Sequence, residues 1–581
     1  MLPRLLFVLF ISSNAWAQYS YIDYASPYHP TINQRGMVAS QNMDSSKIGI
    51  AILDMGGNAI DAAVAVGFSL AVTLPRAGNL GGGGFMLVYL KERNEIIALD
   101  YLGLSPGNSN LQDLFGVQLP EDYEKADRDI VRYGYKASTV PGTVAGLLEV
   151  HSNFGRLSLS EVLRPVIEQA RNGIEVSYDL YMALESSPHL KENPESRKIF
   201  FDNDSAVKES TILKRPYLAE TLEKIAEEGT RGFYEGDTAQ KIVEAMENNG
   251  GFFSLEDLKN YRPRFSEPIL TVYRGHRVYA PRPPSGGAIV VLDSLNILEN
   301  FDLGKYKPNS STTYHLLAEA LRRGHMDRSR YIGDPSFYDV PVGSIISKKR
   351  ARELAKTISF RSASSSQSMS PDSFLEESND TTHFSIIDED GNAVSNTYTL
   401  GYSFGSGVSI PGTGILMNNH MNNFAYRYGD ESIRGRAASP ANKFDSGKRP
   451  TSTMSPVMIF NQEGELQLLT GSPGGARIPA AVLRVITGIV DFDLNIGEAT
   501  MLPRINKDWP FEGLDYESTA SSDVISILEN LGHKTQLSKT MGSTQSIHIE
   551  KDFNHGYSDL RRPNAGVAIQ VLSSLESSVV N

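Results

Sequence analysis

Thr381 and Thr382 stand where a serine-rich stretch, RSASSSQSMSPDSFLEESND (residues 361–380), gives way to a strand-like run beginning HFSIIDE. A threonine hydroxyl is a weak nucleophile unless a base lies beside it. A threonine at a chain N-terminus supplies that base itself, as its free α-amine. Cleavage after Asp380 would put Thr381 in that position. The junction therefore has two readings: a loop opening into a strand, or a place where the chain cuts itself and so makes its own nucleophile. A second segment bears on the choice. TGSPGGAR, Thr470 to Arg477, sets Gly474 and Gly475 directly after a proline. Adjacent glycines there can turn backbone N–H groups toward one point, as an oxyanion hole requires.

The elements around Thr381 decide what stands next to it. HFSIIDE and AVSNTYTL both have period two and flank DEDGN, whose Asp, Gly and Asn are hairpin-turn residues. Pairing Ile387 with Ala393 across that loop brings Thr381 opposite Thr399. A slip of one residue would turn Thr399 to the other face. In the expected register a second hydroxyl stands beside the first.

Upstream, Ser45 to Pro75 reads as helix, Gly56-Gly57 break, helix, with Asn58 capping the second helix. The run Ala59–Leu74 is apolar, but it contains Asp61 and is too short to span a bilayer, so it reads as a core helix. GNLGGGGFMLVYL joins a glycine-rich loop to an apolar strand, Phe85 to Leu90. SLEDLKNY opens with a Ser-x-x-Asp cap pattern, and AQKIVEAMENNGG and ALRRGHMDRSRYIG read as helical pieces. The serine-rich stretch has too little apolar surface to order itself and is expected to be exposed and mobile.

Other local signals point away from other chemistries. GYSFG, Gly401 to Gly405, fits Gly-x-Ser-x-Gly, but SGVSIPGTG follows and cannot form the helix of a hydrolase elbow. Gly81 to Gly84 lack the Lys-Ser/Thr ending of a phosphate loop and read instead as a close approach of backbones. His383 and His420 lie far apart in sequence and no His-Glu-x-x-His occurs, so no metal site is expected. The chain has no cysteine, which excludes thiol catalysis and iron–sulfur clusters. A net charge of −13 without a basic stripe argues against nucleic acid as a partner. MLPRLLFVLFISSNAWA, residues 1–17, has the apolar stretch and Ala-x-Ala ending of a secretory signal, so a periplasmic or secreted protein without a membrane span is expected. A chain of 581 residues suits two to four domains or one large elaborated one.

The segments GGNAIDAAVAVGFSLAV, AGNLGGGGFM, VPGTVAGL, DRSRYIGDP, TTHFSIIDEDGNAV, GILMNNHM, KRPTSTMSP, TGSPGG and MGSTQSI, in that order, resemble the γ-glutamyltranspeptidase family from about Gly36 to Gly566. The resemblance implies an α+β fold, the four-layer αββα sandwich of N-terminal nucleophile hydrolases. It also implies self-cleavage at Asp380–Thr381 into a large subunit (18–380) and a small catalytic subunit (381–581), paired as a heterodimer. By the same resemblance Thr381 is the nucleophile of both cleavage and turnover, and Thr399 positions it. Gly474 and Gly475 form the oxyanion hole, and Ser452 and Thr453 contact the donor α-carboxylate. The substrate would be a small γ-glutamyl or related acyl amide, the acceptor water or an amino acid or peptide, and no cofactor is implied.

Four positions depart from the family pattern. Leu102, in LGLSP, takes the place of the carboxylate-binding arginine, and Asn423, in MNNF, that of the acidic residue meeting the α-ammonium. His420 stands for Gln or Glu, and Gly401 for the asparagine that often follows TYTL. Arg76, in TLPRAG, is a candidate to restore the missing carboxylate contact. These departures keep two alternatives open beside glutathione-type hydrolysis: a cephalosporin-acylase-like or glutaryl amide acylase, and a catalytically silent exported binding protein.

Overall fold

The computed structural model describes residues 26–116, 128–366, 380–426 and 440–571. The expected signal at 1–17 and most of the serine-rich approach lie outside the described residues.

The hairpin around Thr381 forms as its turn chemistry dictates. Strands Thr382–Ile387 and Ala393–Thr399 are antiparallel, with Ile387 opposite Ala393 and Thr382 opposite Tyr398. The Asp388 N–H donates to the Asn392 carbonyl at 3.0 Å and the Asn392 N–H to Asp388 Oδ1 at 2.9 Å. Gly391 takes the left-handed conformation, φ +83°, that closes the loop. This hairpin is the centre of a seven-stranded sheet. In spatial order its strands are Gly566–Ile569, Met37–Ser40, Thr382–Ile387, Ala393–Thr399, Gly83–Leu90, Glu95–Asp100 and Arg264–Ser266. A second seven-stranded sheet runs Thr31–Asn33, Phe553–Ser558, Gln545–Glu550, Leu466–Thr470, Val457–Phe460, His276–Ala280, Ile269–Tyr273. Both sheets mix strands from before and after the Asp380–Thr381 bond.

Side-chain alternation sorts each strand between two apolar clusters. Met86 and Val88 join the helices of the first half, including Ala59–Thr73, while Leu87 and Tyr89 meet Met458, Phe460 and Leu469 of the other sheet. Val457, Ile459 and Leu468 face the helices Gly286–Leu298 and Ile478–Val490. Covered on both faces, the central hairpin is buried at every position of its two strands, the polar side chains of Thr382, His383, Ser385, Ser395, Asn396 and Thr397 included.

The expected helix starts are present. Asn58 and Asp61 form a reciprocal capping box at the start of Ala59–Thr73, and Ser254 and Asp257 another at Leu255–Asn260. Among the described residues no helix is long and apolar enough to cross a membrane. The glycine run works by close approach. A Cβ on Gly81 would lie 2.1 Å from the Leu416 carbonyl oxygen, and one on Gly82 would lie 2.1 Å from that of Thr399. Only glycine lets this loop press against the end of the Thr399 strand.

One expectation is corrected. Residues 361–366, the start of the serine-rich stretch, are tied down rather than loose. The Ala363 N–H donates to the Leu531 carbonyl, Ser364 bonds Glu319 through both its N–H and its hydroxyl, and Ser366 N–H reaches Glu512. Partly buried carboxylates there take up donors that composition alone assigned to water.

Candidate active site

The hairpin register sets two hydroxyls side by side. Thr381 Oγ donates to Thr399 Oγ at 3.4 Å. Thr399 in turn donates to the Asp380 carbonyl oxygen at 2.9 Å and accepts the Gly401 N–H at 2.9 Å. The carbonyl preceding Thr381 is thereby polarised by the same hydroxyl that accepts from Thr381 Oγ. Gly401 makes this possible through φ +99°, and a Cβ there would lie 2.0 Å from Asn419 Oδ1. That oxygen is needed locally, since it accepts the Tyr402 N–H at 3.0 Å. Replacing Thr399 by alanine removes one hydrogen bond to each reacting group, each worth about 1.5–3 kcal/mol where charge develops. Bond cleavage and turnover are expected to slow roughly ten- to a hundredfold, measured as precursor half-life and kcat/KM; unchanged rates would contradict this.

Thr381 and Thr399 line a small, half-open cavity. Gly475 lines it, following Gly474; the two take φ +55° and +133°, a turn that residues with side chains resist. Ser472 braces that turn, its hydroxyl donating to the Pro473 carbonyl at 2.7 Å and accepting the Ser543 N–H at 3.0 Å. Ser452 and Thr453 also line the cavity. Their backbone is fixed to the start of the helix Gly286–Leu298, with the Gly286 N–H donating to the Ser452 carbonyl at 2.7 Å and the Ser452 N–H to the Pro284 carbonyl at 3.0 Å. Asn423, half-buried at the end of the short turn His420–Asn423, is also on the wall.

The four departures from the family pattern do not share this cavity. Gly401 and Asn423 border it, whereas Leu102 and His420 are fully buried and neither lines it. Leu102 belongs to the core between the second sheet and its helices, and its carbonyl accepts Tyr261 Oη at 2.9 Å and Arg449 Nε at 3.1 Å. Arg76 is likewise absent from the wall; it pairs with Asp179 at 3.0 Å and with Asp380 at 3.8 Å. Sequence reasoning missed the cation that does line the cavity. Arg328, in the last turn of the helix Ser311–Tyr331 and 3% exposed, is the one positively charged residue among the described lining residues. Its only sequence signal was its place in DRSRYIGDP.

Burial around Thr381 has a titration consequence. It pushes the imidazoles of His383 and His420 down to about 3, so both are neutral in the folded protein. In the unfolded chain they take up a proton near pH 6.5. Their contribution to stability is complete above that pH and is lost as the pH falls toward 3, by about 1.4 kcal/mol per pH unit for each. The midpoint of thermal unfolding should therefore drop between pH 7 and pH 5, and a flat profile would count against neutral burial. His383 is held by hydroxyls, with Nδ1 2.8 Å from Thr397 Oγ and Nε2 3.1 Å from Ser385 Oγ.

Among the described residues one group brings three metal-type ligands together, His315, Glu319 and His533, with ligand atoms within 4.8 Å of one another. Its atoms are already engaged. His315 Nδ1 lies 2.8 Å from His533 Nε2, and His315 Nε2 lies 2.8 Å from the Ser359 carbonyl. Burial disfavours the Glu319 charge, but Arg322, Ser364 and Arg323 outweigh it and hold the carboxyl at about 2. Two arginines on the one carboxylate make this a hydrogen-bonded brace, not a cation cradle.

Helices and two seven-stranded sheets make a mixed α/β fold whose structural neighbours are N-terminal nucleophile hydrolases. The structure matches cephalosporin acylase from Bacillus halodurans with a TM-score of 0.82, over 96% of this chain and 100% of that one, at 28% identity. It also matches Helicobacter pylori gamma-glutamyltranspeptidase with a TM-score of 0.52, over 56% of this chain and 93% of that one, at 36% identity. The family model for gamma-glutamyltranspeptidase covers residues 45–569. Glutathione hydrolase proenzyme of Escherichia coli strain K12 is 40% identical over 538 residues, 92% of each chain, and Acylase ACY 1 proenzyme of Pseudomonas sp. strain V22 is 34% identical over 535 residues, 91% of this chain and 92% of that one. The chain belongs to the γ-glutamyltranspeptidase family and is an enzyme.

Proposed function

We propose that this enzyme is exported by its first seventeen residues to the periplasm or beyond, cuts itself between Asp380 and Thr381, and then cleaves γ-glutamyl amides such as glutathione. One observation carries the reading: Thr399 Oγ bonds both Thr381 Oγ and the Asp380 carbonyl, and the two threonines line the cavity. In the first step Thr381 Oγ bonds to the Asp380 carbonyl carbon. The C–N bond breaks, the hydroxyl proton passes to the departing nitrogen, and the acyl group is left as an ester. Water then splits the ester, freeing the Asp380 α-carboxylate and restoring the hydroxyl, with the new α-amine as its base. The same oxygen next attacks a donor amide. The Gly474–Gly475 turn serves the oxyanion, and water or an amine resolves the acyl-enzyme.

Donor recognition follows from the wall. The α-carboxylate is met by the hydroxyls of Ser452 and Thr453 and by Arg328, and the α-ammonium by the Asn423 side chain. The fold is assigned as the four-layer αββα sandwich, supported by apolar cores on both sides of each sheet. The proenzyme naming of the Escherichia coli relative supports self-processing. The two pieces would remain a heterodimer, because each sheet takes strands from both. A second reading, an acylase for glutaryl-like groups, is favoured by one feature, the uncharged Asn423 where an ammonium would sit.

The test is direct. Purified protein is expected to run as two fragments of about 40 and about 22 kDa, the 63.8 kDa chain divided by length at residue 380 after signal removal. The smaller should begin Thr-Thr-His-Phe-Ser. A single intact chain with full amidase activity would overturn the reading.

A further inference from the structure

The residue on the acyl side of the expected cleavage site carries its own anchor. Arg76 Nη1 and Arg562 Nη2 each lie 3.8 Å from the same oxygen, Asp380 Oδ1. They arrive from opposite ends of the chain. Arg76 follows the helix Ala59–Thr73, and its carbonyl accepts the Phe404 N–H at 3.0 Å, which ties it to the loop carrying Gly401. Arg562 lies between the strands Phe553–Ser558 and Gly566–Ile569. Asp179 shares the cluster, 3.0 Å from Arg76 Nη2, and balances part of the added positive charge. The Arg76 side chain is 8% exposed and that of Asp380 19%, so the attraction is only partly screened by water.

We propose that Arg76 and Arg562 form a carboxylate clamp that positions the Asp380–Thr381 bond for self-cleavage. The inference rests on the self-processing reading above. A peptide carbonyl held to a hydroxyl by a single hydrogen bond keeps rotational freedom that a second tether on the same residue removes. Fixing the Asp380 side chain from two sides restricts the backbone one bond away. That backbone carbonyl is the one Thr399 holds at 2.9 Å. The clamp touches neither the attacking oxygen nor the leaving nitrogen; it lowers the freedom of the group under attack.

The test measures the rate of precursor cleavage after cell-free synthesis, by gel, for wild type, Asp380→Asn, Arg562→Gln, Arg562→Lys and the double variant Asp380→Asn/Arg562→Gln. Each neutralising single change is expected to slow cleavage at least tenfold, with Arg562→Lys recovering part of the rate because it keeps the charge. The double variant should be no slower than the slower single, since both changes remove one interaction. A fold defect at Arg562 would instead slow cleavage independently of residue 380, so multiplicative slowing in the double variant would overturn the clamp. Wild-type cleavage at the normal site with Asp380→Asn equally fast would also overturn it, while leaving self-processing intact. A wild-type chain that never cleaves would remove both.

Discussion

Replacing Thr381 by alanine is expected to leave the chain uncut and without measurable amidase activity. The variant lacks the oxygen that both steps require, and the geometry offers no substitute. Thr382 is adjacent in sequence, but successive strand residues point to opposite faces, and its side chain is fully buried. Thr399 Oγ is close, yet it is already committed to the Asp380 carbonyl and the Gly401 N–H. Loss of a hydrolase nucleophile costs on the order of a millionfold in kcat, so residual turnover should fall below detection. Thr381→Ser keeps the hydroxyl and should retain part of both activities. The fold should survive either change, because the hairpin is held by its ladder and its apolar neighbours rather than by Thr381. The measurements are the fragment pattern on a gel, kcat/KM on a chromogenic amide, and unfolding midpoints to show that the variants are folded. Thr381→Ala protein that still cuts at the normal site would mean that the nucleophile lies elsewhere.

The second large effect concerns the donor. In the proposed pocket a γ-glutamyl group and a glutaryl group would present the same carboxylate to Ser452, Thr453 and Arg328, and the two differ by one ammonium. Asn423, the residue proposed to face that ammonium, gives it an acceptor without a countercharge. Asn423→Asp supplies the countercharge, worth about 1.4–3 kcal/mol in a partly buried site, or about ten- to a hundredfold in kcat/KM for γ-glutamyl-p-nitroanilide. The same change should weaken glutaryl-p-nitroanilide, which would leave the new carboxylate desolvated and unpaired. Arg328→Gln should lower both donors together, because both carry the carboxylate. The two variants thus separate the two ends of the pocket. Wild-type enzyme that already prefers the γ-glutamyl compound a hundredfold would show that other groups hold the ammonium, and would remove the argument for acylase specificity. Restoring an arginine at Leu102 is a poorer experiment. Leu102 is fully buried in an apolar core, and a guanidinium there would be expected to lower the unfolding midpoint before it rebuilt any contact.

Local chemistry was legible in the chain itself. The Asp-Glu-Asp-Gly-Asn turn and the period-two runs fix the register that sets Thr399 beside Thr381, because a loop of that length admits few pairings and a slip would exchange the residues of the two buried faces. Capping residues announced the helix starts for the same reason: cap and helix are neighbours, and the bond between them needs nothing distant. Motif order identified the family and the residues of the nucleophile's own loop. The wall of the cavity was not legible. Arg328 is the eighteenth residue of a 21-residue helix whose sequence reads as an ordinary charged end, and it lines the site only because that helix packs beside the Ser452–Thr453 loop. Leu102 was expected at the pocket from its place in a motif, but the packing of the second sheet's helices draws it into the core. The pairing of Asp380 with Arg76 and Arg562 joins residues from three remote stretches, the farthest 486 positions apart in number. No local rule couples such positions. The folding of both ends of the chain into one sheet brings them together, and ion pairs form where that sheet's edges and loops leave charge partly shielded from water.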